Sequence, residues 1–200
     1  MQTYRATRLA AWLTPLAAGA AIWALSADPC AAATYVFDQK HTEVRFACSI
    51  GLGTQRGRFT RVEGQVAYDP AAPEATRIAA RVATASLTTG EPVMDDMLKG
   101  TDFFNVGRHP RMTFLSRSVQ STGKQAAVLE GDVSVNGVTR PVKLAVTIAP
   151  RKSQLTYGGD SLEFVARTRI KRSQFNMGAF ASMASDDVDI EIDALLRKKP

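Results

Sequence analysis

Polar and apolar residues alternate with a period of two over most of the chain beyond residue 33. Val44, Phe46 and Cys48 alternate with Glu43, Arg45 and Ala47, and Leu129, Gly131, Val133 and Val135 alternate with Glu130, Asp132 and Ser134. Val142, Leu144, Val146 and Ile148 repeat the theme, as do Leu162, Phe164, Ala166, Thr168 and Ile170 against Glu163, Arg167 and Arg169. Val188, Ile190 and Ile192 are set among Asp187, Asp189, Glu191 and Asp193. A two-residue period sends successive side chains to opposite faces, so each run predicts a strand with one face on an apolar interior and the other in water. The expected sheet is antiparallel.

Turn signals separate the runs: Asp69-Pro70, Asn136-Gly137 and Tyr157-Gly158-Gly159-Asp160. Asn-Gly predicts a hairpin between Val133-Ser134-Val135 and a strand from Pro141 to Ile148, with Val138-Thr139-Arg140 lengthening its loop beyond two residues. One segment has helical spacing instead. From Pro92 to Lys99, Met94, Met97 and Leu98 share a face, Pro92 suits a first turn and Gly100 ends it. Many one-sided strands and one short helix near residues 92–99 give an all-β fold, a sandwich or an antiparallel barrel. About eight strands in a barrel enclose a space that side chains just fill, or that holds one small ligand.

The beginning of the chain has a different pattern. Arg5 and Arg8 precede a mostly apolar run from Leu9 to Leu25, and Ala31-Ala32-Ala33 offers small residues for cleavage. Residues 1–33 are expected to be a signal peptide, and residues 34–200 one barrel domain. The apolar run contains Thr14 and Pro15 and falls short of the roughly 20 residues that a membrane span needs. Cleavage would remove Trp12, Trp23 and Cys30, leaving a chain without tryptophan and with Cys48 as its single cysteine. A lone cysteine makes no internal disulfide, so stability must come from the core. Cleavage also takes away Arg5, Arg8 and Asp28, which lowers the net charge from +6 to +5.

That mild basicity points to no polyanionic partner. Arg169-Ile170-Lys171-Arg172 and the expected frayed tail Arg197-Lys198-Lys199 lack interleaved aromatic residues for base stacking, which makes them solvated faces rather than a nucleic-acid site. Catalytic and metal-binding chemistry is equally thin. The histidines are His41 and His109, and His41 lies about 23 Å from Cys48 along an extended chain at about 3.3 Å per residue. His109 precedes Pro110 in an exposed loop. Asp186, Asp187 and Asp189 lack the spacing of a calcium loop, and the glycine-rich GLGTQRG, lacking the lysine of a phosphate loop, is expected to be a flexible connection. No catalytic residue, cofactor or metal is assigned.

Paired aromatics remain to be explained. In MLKGTDFFNVGRHPRMTFLSRSV, Phe103 and Phe104 follow the helix and precede a proline and a strand. This stretch resembles a signature of the YceI-like family, with Met97 where the family often has histidine. The resemblance runs in order through YVFDQKHTEVRF, GRFTRVEGQVAYDP, DVSVNGVTRPVKL and RIKRSQFNMG, and so spans nearly all of residues 34–200. One departure is CSIGLGTQRGRF, which lacks the histidine that relatives often carry at the end of the first strand.

The resemblance implies a single antiparallel lipocalin-like β-barrel, periplasmic and non-enzymatic, whose lumen receives an isoprenoid such as a polyprenyl phosphate or a quinone. Transport, storage or protection of that lipid is the implied role, with transient membrane contact on the way. A long tail is held by shape, since each buried methylene contributes about 0.8 kcal/mol. The inward set Phe46, Phe114, Leu129, Val133, Val146, Phe164 and Ile190 is core in a filled barrel and ligand lining in an open one. Phe103 and Phe104 share that ambiguity, because neighbours on a strand point opposite ways and one of them would cover the helix or an entrance. His41 is a candidate for a quinone oxygen or phosphate near the barrel mouth, and Arg56, Arg58 and Lys99, expected in loops, for an anionic head group. The alternative from another class is a periplasmic interaction or stress protein whose barrel is filled by its own side chains.

Overall fold

Every alternating run becomes a strand in a computed structural model of the protein, which describes residues 32–148 and 161–200. The strands are β1 (Ala33–Phe37), β2 (Glu43–Ile50), β3 (Gly53–Phe59), β4 (Val62–Tyr68), β5 (Arg77–Ala83), β6 (Leu87–Thr88), β7 (Arg111–Gly123), β8 (Ala126–Val135), β9 (Val138–Ile148), β10 (Ser161–Lys171) and β11 (Ala184–Lys198). Helix α1 (Pro92–Lys99) occupies the segment expected for it. Eight strands, in the order β1-β4-β5-β7-β8-β9-β10-β11, close into an antiparallel barrel through the pairing of β1 with β11. The remaining three extend the wall. β2 pairs with the first part of β11 and carries β3 and β6 beside it.

Three local expectations need correction. Val135 pairs with Val138, so the hairpin loop is Asn136-Gly137 alone, with φ of +47° and +77° at the two positions. That positive-φ pair matches the right-handed twist of the flanking strands, and it leaves Val138-Thr139-Arg140 free to pair. GLGTQRG is likewise no flexible connection: Gly51 and Leu52 make a tight turn and Gly53 begins β3. The basic tail is not frayed, because Arg197 forms an ion pair with Asp38 at 2.5 Å and the Lys199 amide bonds the Thr34 carbonyl. The expected signal peptide, apart from its last two residues, and the Tyr157-to-Asp160 turn lie outside the described residues.

Sidedness follows the alternation. On β10, β11 and β2 the outward positions form a cross-strand ladder of opposite charges: Arg45 with Glu191 and Asp193, Arg167 with Glu191, Arg169 with Asp189, Lys171 with Asp187. Exposed pairs of this kind contribute little individually, but they favour this register over a one-residue slip that would also expose Val188, Ile190 and Ile192. Inside, one cluster centres on Phe59, Leu87, Met112, Val135, Phe175 and Met177, and a second on Leu129, Leu144 and Ala166. Gly131 is required between β7 and β8, where a side chain would press into the Leu115 carbonyl and the Phe114 ring.

Candidate functional site

The two core clusters do not fill the barrel. Between them runs a cavity of about 420 Å³ lined from nearly every strand, including Phe46, Phe59, Ile78, Phe114, Leu129, Leu144, Phe164, Ile190 and Ile192. Its size falls within the range of small-molecule sites, roughly 300–1,000 Å³. Few polar side chains reach the wall, and the structure occupies several of them. Gln55 donates to the Arg56 carbonyl, and Cys48 donates to the Ser185 carbonyl at 3.3 Å. Burial pushes the Cys48 thiol up from its ordinary pKa, so it behaves as an apolar wall group.

One end of the lumen is finished by non-strand elements. Helix α1 turns Met94, Met97 and Leu98 inward, as its spacing predicts. Asp95 braces the helix start, accepting from the Thr89 amide at 2.6 Å and the Thr89 hydroxyl at 2.7 Å. Phe103 and Phe104 lie in turns after the helix rather than on a strand, so strand alternation does not separate them and both line the cavity. Phe104 meets Phe59 edge-on at 5.1 Å between centroids, and Phe103 stacks on Phe180 at 5.9 Å with an interplanar angle of 5°. Phe180 and Met183 line the lumen yet remain exposed, and Leu52 stands exposed beside them, where the Gly51 amide bonds the Met183 carbonyl. The rim of this opening is therefore apolar.

Arg172 holds the rim segment in place. It is buried, and its guanidinium donates to the carbonyls of Met177, Ala179, Ala184 and Ser185 at 2.5–3.0 Å. Sequence reasoning placed it in a solvated basic cluster. The missed signal is its position: the even-numbered residues of β10 face inward, and Arg172 continues that series.

A closed barrel with an apolar lumen, a helix and paired aromatics at one end agrees with what the chain resembles. The YceI-like domain model matches residues 35–196. The chain belongs to the YceI-like family. A UPF0312 protein of Azotobacter vinelandii is 34% identical over 183 residues, 90% of this chain and 94% of that protein. Among solved structures, Burkholderia cenocepacia BcnA aligns with a TM-score of 0.72 at 24% identity, covering 80% of this chain and 98% of that one. A polyisoprenoid binding domain from Saccharophagus degradans aligns at 0.63 with 13% identity, covering 82% of this chain and 98% of that one.

Within this YceI-like barrel, eight of the ten singled-out residues stand on the cavity wall: Phe46, Phe103, Phe104, Phe114, Leu129, Val133, Phe164 and Ile190. Val146 does not; it packs against the Leu129, Leu144 and Ala166 cluster. His41 does not either. It sits before β2, whereas the apolar rim adjoins the other end of that strand, and its Nδ1 is 3.0 Å from Asp38 Oδ1. Arg56 and Arg58 lie on β3 rather than in loops, and Arg58 faces the Glu43 carboxylate at 3.8 Å. His109 is half-buried against the Gly137 turn and its carbonyl accepts from Thr84. The aspartates near β11 are engaged by Ser173, Lys171 and Arg169, and among the described residues no three histidine, cysteine or acidic side chains gather as a metal site.

Asp38 joins β1 to the end of β11, and this makes the fold acid-sensitive. Burial would raise its pKa, but hydrogen bonds from Arg197, His41 and the Lys40 amide outweigh it and hold the carboxyl at about 2, below the ordinary 3.8. A depressed folded-state pKa stabilises the fold above the unfolded-state value and loses that stabilisation as pH falls through the window from about 4 to about 2. Asp38→Asn is expected to cost about 1–2 kcal/mol at pH 7 and to flatten the loss of stability over that window, measured by urea unfolding at a series of pH values.

Proposed function

We propose that the protein is an exported, non-enzymatic carrier that holds a long isoprenoid, a polyprenyl phosphate or a quinone, in the barrel lumen for transport, storage or protection. The observation that carries this reading is the cavity: a closed barrel of this size is easily filled by its own side chains, yet here about 420 Å³ remains open between two apolar clusters. A tail of repeated methyl and methylene groups gains about 0.8 kcal/mol for each methylene buried there and asks for no polar partner. Phe46, Phe103, Phe104, Phe114, Leu129, Val133, Phe164 and Ile190 are the ligand-lining residues on this reading. Its support includes family membership and a structural neighbour described as a polyisoprenoid binding domain. Export rests on the leader-like residues 1–33, a periplasmic location on family membership, and transient membrane contact on the exposed Leu52, Phe180 and Met183.

Native mass spectrometry of the exported protein, followed by organic extraction, tests the proposal. The expected result is one isoprenoid or quinone per barrel. Protein that emerges empty and takes up no added prenyl lipid would overturn it and favour an interaction protein acting through its surface.

A further inference from the structure

The barrel has a seam. β9 is paired with β8 from Val138 to Thr147 and β10 with β11 over its whole length, but β9 and β10 pair only from Ala145–Arg167 to Ile148–Phe164. Beyond that, Val138–Leu144 and Thr168–Lys171 face each other without a ladder. The sequence enforces the parting. In a two-residue hairpin closed by Val135 and Val138, the hydrogen-bonded pairs to β8 recur at Arg140 and Val142, so the backbone groups of Thr139, Pro141 and Lys143 point toward β10. Proline at the middle position has no N–H to give.

A groove of about 450 Å³ occupies this seam, and three of its residues, Val142, Thr168 and Ile170, also line the lumen. Four cations border it, Arg140, Lys143, Arg169 and Lys171, with the Asp187 carboxylate among them. Three of these cations are already matched, Lys143 by Glu130 at 2.6 Å, Arg169 by Asp189 at 2.6 Å and Lys171 by Asp187 at 3.0 Å. Arg140 has no ion pair or hydrogen bond among the described residues, and it is exposed. Its position is unusual. Arg140 stands directly opposite Val133, a lumen-lining residue, so it occupies the inward face of β9, between Val138 and Val142, where the pattern calls for an apolar side chain.

The lumen itself has no place for an anion. Among the described residues the one cation on its wall, Arg172, already donates to four carbonyls, and the rim at the α1 end presents Leu52, Phe180 and Met183. From these contrasts, and resting on the isoprenoid reading, we infer that the β9–β10 seam is the head-group site and that Arg140 binds the phosphate or diphosphate of a prenyl ester whose tail enters the lumen past Val142 and Ile170. The ligand class is then an anionic prenyl ester, and a quinone lacks the group that Arg140 recognises.

Isothermal titration of the delipidated exported protein with geranylgeranyl phosphate and with geranylgeraniol tests this, since the two share a tail and differ only in the anion. The phosphate is expected to bind roughly tenfold or more tightly than the alcohol. In Arg140→Ala the ratio is expected to fall to near one with the alcohol affinity unchanged, which also reports an intact lumen. Arg140→Lys should restore part of the preference, and Arg56→Ala, on the outer face of β3, should keep all of it. Equal binding of the two probes by the native protein, or an undiminished ratio in Arg140→Ala, overturns the seam assignment while leaving the lumen reading intact. Binding of neither probe overturns both.

Discussion

Val133→Trp is expected to strip the barrel of isoprenoid while leaving it folded. Val133 faces the lumen from β8, opposite Arg140 and beside the Phe59 and Val135 cluster, so an indole at this position projects into the space that a tail would occupy. Displacing even two methylenes at about 0.8 kcal/mol each weakens retention by more than about tenfold. Overpacking costs about 1–3 kcal/mol in a filled core, and less where a cavity receives the added bulk. A domain with about 5–15 kcal/mol of stability survives that loss. The measurement is lipid stoichiometry by native mass spectrometry beside a urea midpoint. Leu115→Trp is the control, because Leu115 is exposed on the outer face of β7 and should retain full occupancy. With Trp12 and Trp23 confined to the leader-like segment, either introduced indole reports its own surroundings by fluorescence, blue-shifted inside the lumen and red-shifted outside. Undiminished lipid in Val133→Trp would place the ligand somewhere other than the lumen.

Much of the barrel was legible because the side-chain period of a strand is short and strict. The alternation around Val188, Ile190 and Ile192 named both faces of β11, and the spacing of Met94, Met97 and Leu98 named the inner face of α1. What escaped was set by pairing partners far away in sequence. Nothing local to Arg197 says that Asp38 waits for it, whereas the two-residue register of the β8–β9 hairpin was legible in Asn136-Gly137 and was lost by starting the second strand at Pro141. Whether inward side chains meet or leave a gap depends on barrel geometry. For this reason Phe46 and Phe114 were readable as inward but not as cavity wall, and Val146, with the same alternation, proved to be packing.

The two most informative misreadings share one cause. Arg140 and Arg172 both occupy inward positions of otherwise apolar series, and each polar side chain reads locally as solvent-facing, Arg140 in a lengthened hairpin loop and Arg172 in a basic cluster. A charged residue on the inner face of a strand is costly to bury, so the fold must either satisfy it or open around it. It does one at each site. β10 ends and a short turn wraps Arg172 in carbonyls, while β9 and β10 part at Arg140 and leave it in water.

Arg172→Met is accordingly expected to cost about 3 kcal/mol or more in unfolding free energy. The thioether matches much of the length of the arginine stem but leaves the carbonyls of Met177, Ala179, Ala184 and Ser185 without their charge-assisted donors in a buried site. These bonds tie the loop after Phe175 to the start of β11, beside the Gly51 amide on the Met183 carbonyl and the Phe103–Phe180 stack. Phe180 adopts φ of +57°, a left-handed conformation unfavourable for a bulky side chain, and the cage around Arg172 offsets that strain. Releasing the loop also releases the Phe180 face from Phe103 and widens the rim, so a bound prenyl lipid should dissociate faster from Arg172→Met than from the native protein. Arg172→Lys should recover part of the stability, since an ammonium supplies three donors without the planar fork that reaches four carbonyls. Urea unfolding at pH 7 and lipid transfer to acceptor vesicles read the two effects separately. A loss under about 1 kcal/mol with unchanged transfer would mean that the carbonyl cage does not hold the rim.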